Sequence, residues 1–263
     1  MTNHQIKHKA EVIPALAFSN SDMALQQMLK ITEDLKNVYE KRNEALIAVN
    51  EAHHEVLMRL AIAAEYRDED TGVHIIRLGY MAEKLSDFLG ESEDFCFMMR
   101  LAAPMHDVGK IGIPDSILKN PDQLDSEERV IMNTHAEIGF NILANSNVPL
   151  FKLASIIALT HHEKYDGSGY PNKLVGDSIP LAGRIVAIID YFDALTMDRC
   201  YRQAIKDEVA IDMVLEQSGK HFDPRIVDVF IANIDTFIAL RQRINKNPLK
   251  YDQLINYSSD TFM

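Results

Sequence analysis

Histidines and aspartates recur along this sequence at positions where they could bind metal ions. The pair His161-His162 runs directly into a loop, Glu163 to Pro171, that holds two glycines, two tyrosines and a proline. Adjacent imidazoles contribute little to a hydrophobic core, because each loses hydration when it is buried without a partner. Imidazole nitrogens are common metal ligands, and the glycines let the backbone bend tightly. The stretch therefore predicts one wall of a metal site.

Further residues of the same chemical types lie at helix ends or on inward faces. Asp70 and His74 are four apart, which places both side chains on one face of a helix. The pair His106-Asp107 follows an apolar run, where an ionised carboxylate is costly unless it is paired or bound to a cation. His135 and Asp190 also lie on helical segments. Each residue alone has a structural explanation, but five imidazoles and up to three carboxylates suit two six-coordinate ions that share a carboxylate.

The segments that would position these residues are predicted to be helical, so the fold class is all-α. Apolar residues at three- and four-residue steps predict one long helix from residue 21 to about 60. Polar Thr32, Arg42 and His53 interrupt the apolar seam of this helix. We favour dimerisation through the seam, and the alternative of an amphipathic helix that packs on its own domain stays open. The β-branched run 181–189 would also fit a strand, although we favour helix. The other predicted helices are 61–89 with a break near 68–72, 95–106, 126–140, 150–160, 207–217 and 223–242.

Composition and charge limit the classes of function. The chain has 263 residues and a formal net charge of -12, which argues against binding to nucleic acid polymers or anionic membranes. Its only cysteines, Cys96 and Cys200, form no CxxC pattern, as expected in a reducing cytoplasm. No uncharged apolar run is long enough for a membrane span, and we expect a cytoplasmic protein.

Five stretches together resemble the HD-GYP family, a branch of the HD phosphohydrolases whose members hydrolyse cyclic di-GMP. The specific one is the HHExxDGxGYP pattern at 161–171; the others are 67–74, 106–115, His135 and 179–202. The resemblance covers about residues 55 to 235. It implies an HD-type helical bundle with an irregular GYP loop. We divide the chain into a lead-in (1–20), a linker or dimerisation helix (21–54), the HD-GYP domain (55–243) and a C-terminal tail (244–263).

The resemblance also implies roles for individual residues. The expected metal ligands, with Asp107 bridging, are His74, His106, Asp107, His135, His161, His162 and Asp190. The expected substrate contacts are Lys110 on a phosphate, Tyr170 in the pocket lining, and Asp193, Arg199 and Arg202, which would contact the guanine. The resemblance implies two metal ions, iron or manganese. Asp70 stands where the family usually has Glu, so a third metal ion at this residue is left open.

The function implied is hydrolysis of cyclic di-GMP to pGpG, GMP or both, with Asp107 and Lys110 as the catalytic residues. The nucleophile would be a hydroxide that bridges the two ions. The alternative is a catalytically weak or inactive module that binds a cyclic dinucleotide or a partner protein for signalling. No sensor domain is evident in the sequence, so a separate sensor or diguanylate cyclase is a candidate partner, beside a second copy of the chain bound through the N-terminal helix.

Overall fold

A computed structural model describes residues 20–65, 67, 73–198 and 203–246 of the chain. These residues form eleven α-helices and three short 3-10 helices, without a β-strand among them, which confirms the all-α class. The α-helices are α1 (Asn20–Glu65), α2 (Val73–Phe88), α3 (Glu93–Ala102), α4 (Asp115–Leu118), α5 (Ser126–Asn133), α6 (His135–Leu143), α7 (Pro149–Thr160), α8 (Leu181–Thr196), α9 (Asp207–Glu216), α10 (Pro224–Ala232) and α11 (Ile234–Lys246). The 3-10 helices are Ala103–Met105, Val108–Gly112 and Gly176–Ser178.

The helix α1 is 46 residues long and contributes to two compact units, Met1–Asn50 and Glu51–Met263. In the first unit its large apolar side chains are exposed, among them Leu25, Leu35 and Leu46. In the second unit Leu57 and Ala61 are buried in the core. Neither α1 nor any other helix in the described part of the chain combines the length and the apolarity that a membrane span requires.

The core of the second unit is built around α2 and α8. Both helices are buried over most of their circumference, with Leu78, Met81, Ile188 and Phe192 fully inaccessible to solvent. The helix α2 packs against α3, α8 and α11, and α7 packs against α6 and α8. At Gly183 the two helices α7 and α8 approach closely, since a Cβ there would lie 2.2 Å from a side-chain oxygen of α7. Polar residues on α2 and α8 therefore need partners inside the bundle.

Two of the predicted helices are interrupted in the structure. The segment predicted as one helix from 126 to 140 breaks at Thr134, whose N–H and hydroxyl both donate to the carbonyl oxygen of Ile131, at 3.0 and 2.6 Å. This local bonding ends α5 and makes His135 the first residue of α6. The segment predicted from 223 to 242 breaks at Asn233, which leaves the helical conformation at φ −118° and ψ 19°. Asp223 is confirmed as the predicted N-cap, because its side chain accepts from the backbone N–H of Arg225 in the first turn of α10.

Candidate metal centre

Seven of the eight predicted metal ligands come together in two neighbouring clusters. The first cluster consists of Asp107, His135, His161 and His162, and the second of His74, His106 and Asp190. Within each cluster the candidate ligand atoms all lie within 4.8 Å of one another. The eighth residue, Asp70, lies outside the described residues, as do Arg199 and Arg202.

The Asp107 carboxylate lies between the two clusters. Its Oδ1 is 3.3 Å from His135 Nε2 and 3.5 Å from His161 Nε2, whereas its Oδ2 is 3.1 Å from His106 Nε2. In the second cluster Asp190 Oδ1 is 3.4 Å from the Nε2 atom of His74. One oxygen of Asp107 therefore faces each cluster, which is the arrangement that a bridging carboxylate requires.

Four of the five histidine rings are fixed through Nδ1, so that Nε2 is directed towards the cluster. The acceptors of Nδ1 are carbonyl or carboxylate oxygens, which require the proton to be on Nδ1 and leave the lone pair on Nε2. The four contacts are His74 with Asp193 Oδ2 at 2.7 Å, His106 with Ala103 O at 3.2 Å, His135 with Met132 O at 2.7 Å and His161 with Ala158 O at 3.0 Å.

These tautomers leave acceptor atoms facing one another, and the donor set therefore fits a cation. His135 Nε2 and His161 Nε2 are 3.4 Å apart with no proton available between their lone pairs. His106 Nε2 and Asp107 Oδ1 are buried and make no hydrogen bond within the described residues. Buried acceptors without donors are unfavourable, and metal ions would satisfy them.

The electrostatics of the centre favour the protonation states that bind metals. Burial lowers the pKa of His135 to about 4, and burial together with His161 lowers the pKa of His162 well below its usual value. Burial opposes ionisation of Asp107, but Lys110 and His106 outweigh it and hold the pKa of this carboxyl well below the usual range. At neutral pH the first cluster therefore presents neutral imidazoles at His135 and His162 and an ionised carboxylate.

His106 differs from these rings in the direction of its pKa shift. Burial opposes its protonation, but the carboxylates of Asp107 and Asp190 raise its pKa above the ordinary value. A cation bound at Nε2 would compete with that proton.

Lys110 and Tyr170, two of the predicted substrate contacts, lie beside the clusters. Lys110 Nζ is 2.9 Å from Asp107 Oδ2, and its side chain is 21% exposed. The Tyr170 ring stacks on the His162 ring with centroids 4.8 Å apart, and its backbone N–H donates to the His162 carbonyl oxygen at 3.2 Å. Both side chains are partly accessible, as a substrate contact requires.

Asp193, predicted as a substrate contact, is buried and hydrogen-bonded to residues of α2. Only 1% of the residue is exposed, and its two oxygens accept from Arg77 Nε and Nη2 at 2.6 and 2.7 Å. It also accepts from His74 Nδ1, a contact that fixes the ring of this candidate metal ligand. Arg77 in turn donates to Asn245 on α11 at 3.1 Å. Sequence reasoning missed Arg77, although an arginine three residues after His74 in an apolar helix was a usable signal.

A second residue that sequence reasoning did not assign is Glu163. Its carboxylate is buried, with 2% of the residue exposed, and accepts from the backbone N–H groups of Asn172 at 2.7 Å and Leu174 at 3.0 Å. It thereby joins the start of the GYP loop to the segment just beyond Pro171. Its place between His162 and the loop was the only signal in the sequence, and no spacing rule gives its partners.

Comparison with known proteins shows to which protein family the chain belongs. The HD domain family matches residues 74–226, more than half of the chain. A 3′3′-cGAMP-specific phosphodiesterase of Vibrio cholerae is 44% identical over 196 residues, which is 74% of this chain and 38% of that protein. A cyclic di-GMP phosphodiesterase response regulator of Xanthomonas campestris is 41% identical over 211 residues, 79% of this chain and 56% of that protein.

Two more relatives agree with this assignment. A cyclic di-GMP phosphodiesterase of Thermotoga maritima is 45% identical over 67% of this chain and 48% of its own length. The crystal structure of a cyclic GMP-AMP specific phosphodiesterase of V. cholerae superposes with a TM-score of 0.53, at 19% identity, over 77% of this chain and 53% of that one, and so shares the fold. The chain thus spans about half the length of its curated relatives. It belongs to the HD domain family, and its motifs and relatives place it in the HD-GYP branch.

Proposed function

We propose that the chain is a metal-dependent phosphodiesterase that hydrolyses cyclic di-GMP. The observation that carries the proposal is the convergence of seven ligands in two clusters, with Asp107 between them. A pair of adjacent ions is a common arrangement in enzymes that cleave phosphodiesters. The sequence relatives support the substrate class, because their names describe phosphodiesterases of cyclic dinucleotides.

The clusters would hold two divalent ions, and mixed imidazole and carboxylate ligands are compatible with iron or manganese. Such ions supply a nucleophile from water at neutral pH and stabilise charge on phosphoryl oxygens. The chain's own residues have distinct tasks. Asp107 would connect the two ion sites, Lys110 would contact a phosphate oxygen, and Tyr170 would line the entrance beside His162. A third ion at Asp70, and substrate contacts by Arg199 and Arg202, remain predictions from the sequence.

The direct test incubates anaerobically purified protein with Mn²⁺ or Fe²⁺ and cyclic di-GMP and separates the products by chromatography. We expect pGpG, GMP or both, in amounts that fall when the metal is removed by a chelator. The same samples, analysed for metal content, identify the ions. Binding of cyclic di-GMP in calorimetry without any turnover would contradict the proposal and favour a signalling module.

A second substrate, 3′3′-cGAMP, has a specific observation in its favour. The relative that is 44% identical over 74% of this chain is named for that substrate. The substrate panel therefore includes 3′3′-cGAMP and mononucleotides beside cyclic di-GMP. A kcat/KM for 3′3′-cGAMP well above that for cyclic di-GMP would replace the proposed substrate and leave the proposed metal chemistry in place.

Replacement of Glu163 by glutamine is expected to raise KM about 3- to 10-fold, with little change in kcat or in metal content. The carboxylate accepts from two backbone N–H groups, and an amide would turn a donor towards one of them, which costs about 1–3 kcal/mol of loop stability. The measurement is steady-state kinetics with cyclic di-GMP. Glu216→Gln, at an exposed position on α9, is the matched control. Unchanged KM in Glu163→Gln would show that the loop does not depend on this carboxylate.

We also propose that the first unit pairs with a second copy of the chain. The seam residues Leu25, Leu35, Tyr39 and Leu46 are all at least 50% exposed. They belong to the series 25, 28, 32, 35, 39, 42 and 46, whose three- and four-residue steps are those of a helix seam that is buried against another helix.

For this pairing, replacement of both Leu35 and Leu46 by glutamate is expected to convert a dimer to a monomer in sedimentation velocity. Charges at two seam positions would have to be buried without partners in the dimer. The single change Asn37→Glu, which lies off the seam, is expected to leave the dimer intact. A wild-type chain that sediments as a monomer would contradict the pairing.

A further inference from the structure

We propose that Arg67 is a positioning residue for Lys110, and that it acts on the reaction through the turn that carries this lysine. The inference rests on the proposed function, in which Lys110 contacts a substrate phosphate. Arg67 is two residues beyond the end of α1, and Lys110 lies in the 3-10 helix Val108–Gly112 that follows Asp107. The two residues are 43 positions apart in the sequence.

The Arg67 guanidinium is bound to the backbone around Lys110. Its Nη1 donates to the carbonyl oxygen of Ile111 and, at 3.4 Å, to that of Lys110. Its Nη2 donates to the carbonyl oxygen of Ile113 at 3.0 Å and to Asp115 Oδ1 at 2.5 Å. One planar group thus donates to three backbone carbonyl oxygens at the end of the turn, those of Lys110, Ile111 and Ile113, a geometry for which the fork of an arginine is suited.

The carbonyl oxygen of Lys110 already accepts from the N–H of Ile113 at 3.1 Å, and Arg67 adds donors for the carbonyl oxygens of Ile111 and Ile113 at the end of this short helix. Its other side is already fixed: a Cβ on Gly109 would lie 1.9 Å from the carbonyl oxygen of His135, so the turn packs directly on α6. Two sets of contacts therefore hold the turn: the hydrogen bonds from Arg67 and the packing on α6. Removal of the guanidinium would remove the first set.

The position of this backbone determines where the Lys110 ammonium lies. Lys110 Nζ is 2.9 Å from Asp107 Oδ2; its flexible four-carbon side chain loses conformational freedom when it holds this contact, so a displaced Cα would lower the population of this ammonium position. Arg67 is itself anchored, because its N–H donates at 3.1 Å to the carbonyl oxygen of Ala64, a buried residue of α1. The end of α1 is thus connected to Lys110 through Arg67.

The contacts also indicate that the hydrogen bonds from Arg67 to carbonyl oxygens matter more than its ion pair with Asp115. The Asp115 side chain is 62% exposed, so its ion pair with Arg67 contributes little by itself. The carbonyl contacts carry the effect. Lysine at position 67 would keep the charge but, as a point charge, could not engage three carbonyl oxygens in this way.

The first experiment is a double-mutant cycle with cyclic di-GMP. Arg67→Ala is expected to lower kcat about 10- to 100-fold, because displacement of a catalytic group by about 1 Å can reduce the rate on the order of 10²-fold. Metal content and melting temperature are expected to stay near the wild-type values. Arg67→Lys should not restore kcat. In a Lys110→Ala background the Arg67→Ala change should have no further effect, whereas equal fold losses in both backgrounds would overturn the inference.

The second experiment does not depend on activity, so it separates this inference from the proposed function. The amine of Lys110 is labelled with an acylating reagent and quantified by peptide mass spectrometry, with the 40% exposed Lys84 as the internal reference. We expect labelling of Lys110 to increase several-fold in both Arg67→Ala and Arg67→Lys, and to stay unchanged in Arg59→Ala, an exposed arginine of α1. Unchanged labelling of Lys110 in the Arg67 variants would overturn the positioning role even if the protein hydrolyses no cyclic dinucleotide.

Discussion

Replacement of Asp107 by asparagine is expected to lower kcat/KM for cyclic di-GMP at least about 10²- to 10³-fold, the effect of removing a preorganised charged group. The side chain keeps its size but loses the charge that faces both clusters. Its amide would also present hydrogens to His106 Nε2 or to Lys110, which now approach a carboxylate oxygen at 3.1 and 2.9 Å. Because the carboxylate faces both clusters, we expect the metal content of the purified protein to fall together with the rate.

The measurement combines steady-state kinetics with elemental analysis of the same preparation. Asp212→Asn, at an exposed position on α9, makes the same chemical change away from the clusters and should match the wild type in both values. Added Mn²⁺ should not restore the rate of Asp107→Asn. A variant that retains full turnover and its metal would show that this carboxylate is not shared by the two ion sites.

Replacement of Asp193 by asparagine is expected to destabilise the fold by about 3–5 kcal/mol, because it leaves the buried Arg77 guanidinium without an anion. The same change removes the carboxylate that holds His74 Nδ1 at 2.7 Å. Metal affinity is therefore expected to fall by about 10- to 100-fold, as for other residues that orient a metal-bound histidine. Urea denaturation measures the first effect, and titration of the apo protein with Mn²⁺ measures the second.

The pH dependence of stability gives an independent check on Asp193. Burial opposes its ionisation, but hydrogen bonds from Arg77 and His74 hold the pKa of this carboxyl far below its ordinary value. Stabilisation from a lowered pKa is present above the unfolded value, about 3.9 for aspartate, and is lost as the pH falls below it. The free energy of unfolding should thus fall more steeply below about pH 4 in the wild type than in Asp193→Asn.

The control for Asp193 is Asp228→Asn, at an exposed position on α10, which should retain wild-type stability and metal affinity. If Asp193→Asn also kept both values, the buried pair with Arg77 would not stabilise the fold. Loss of stability without loss of metal affinity would show that His74 holds its orientation without this carboxylate.

The clustering of these histidines and aspartates was predictable from the sequence because its signals are local. His161 and His162 follow an apolar helix directly, and His106-Asp107 does the same, so helix ends placed the side chains without knowledge of distant contacts. The break at Thr134 was not predictable in this way, since it depends on side-chain bonding within one turn rather than on a glycine or proline. It nevertheless left His135 in the predicted cluster.

The hydrogen bonds of Asp193 could not be predicted because its partners are remote in sequence. It follows Asp190 by three residues on α8, and this spacing does not tell whether a side chain points to a pocket or into the core. Its partners His74 and Arg77 are 119 and 116 positions away. Glu163 illustrates the same limit, since it binds backbone N–H groups, which carry no signal in the residue types.

The composition of the two clusters has a consequence for the charge that the centre would carry with metal ions bound. Of the seven ligands in the two clusters, five are imidazoles, which add no charge when neutral, and only Asp107 and Asp190 are anionic. Two divalent cations would exceed the charge of two carboxylates, so the loaded centre would be positively charged in a chain whose net charge is -12. A local positive charge on a negatively charged protein focuses the electric field and directs anions towards the metal centre. A centre of the same geometry built mainly from carboxylates would be neutral or negative and would not attract a phosphodiester anion.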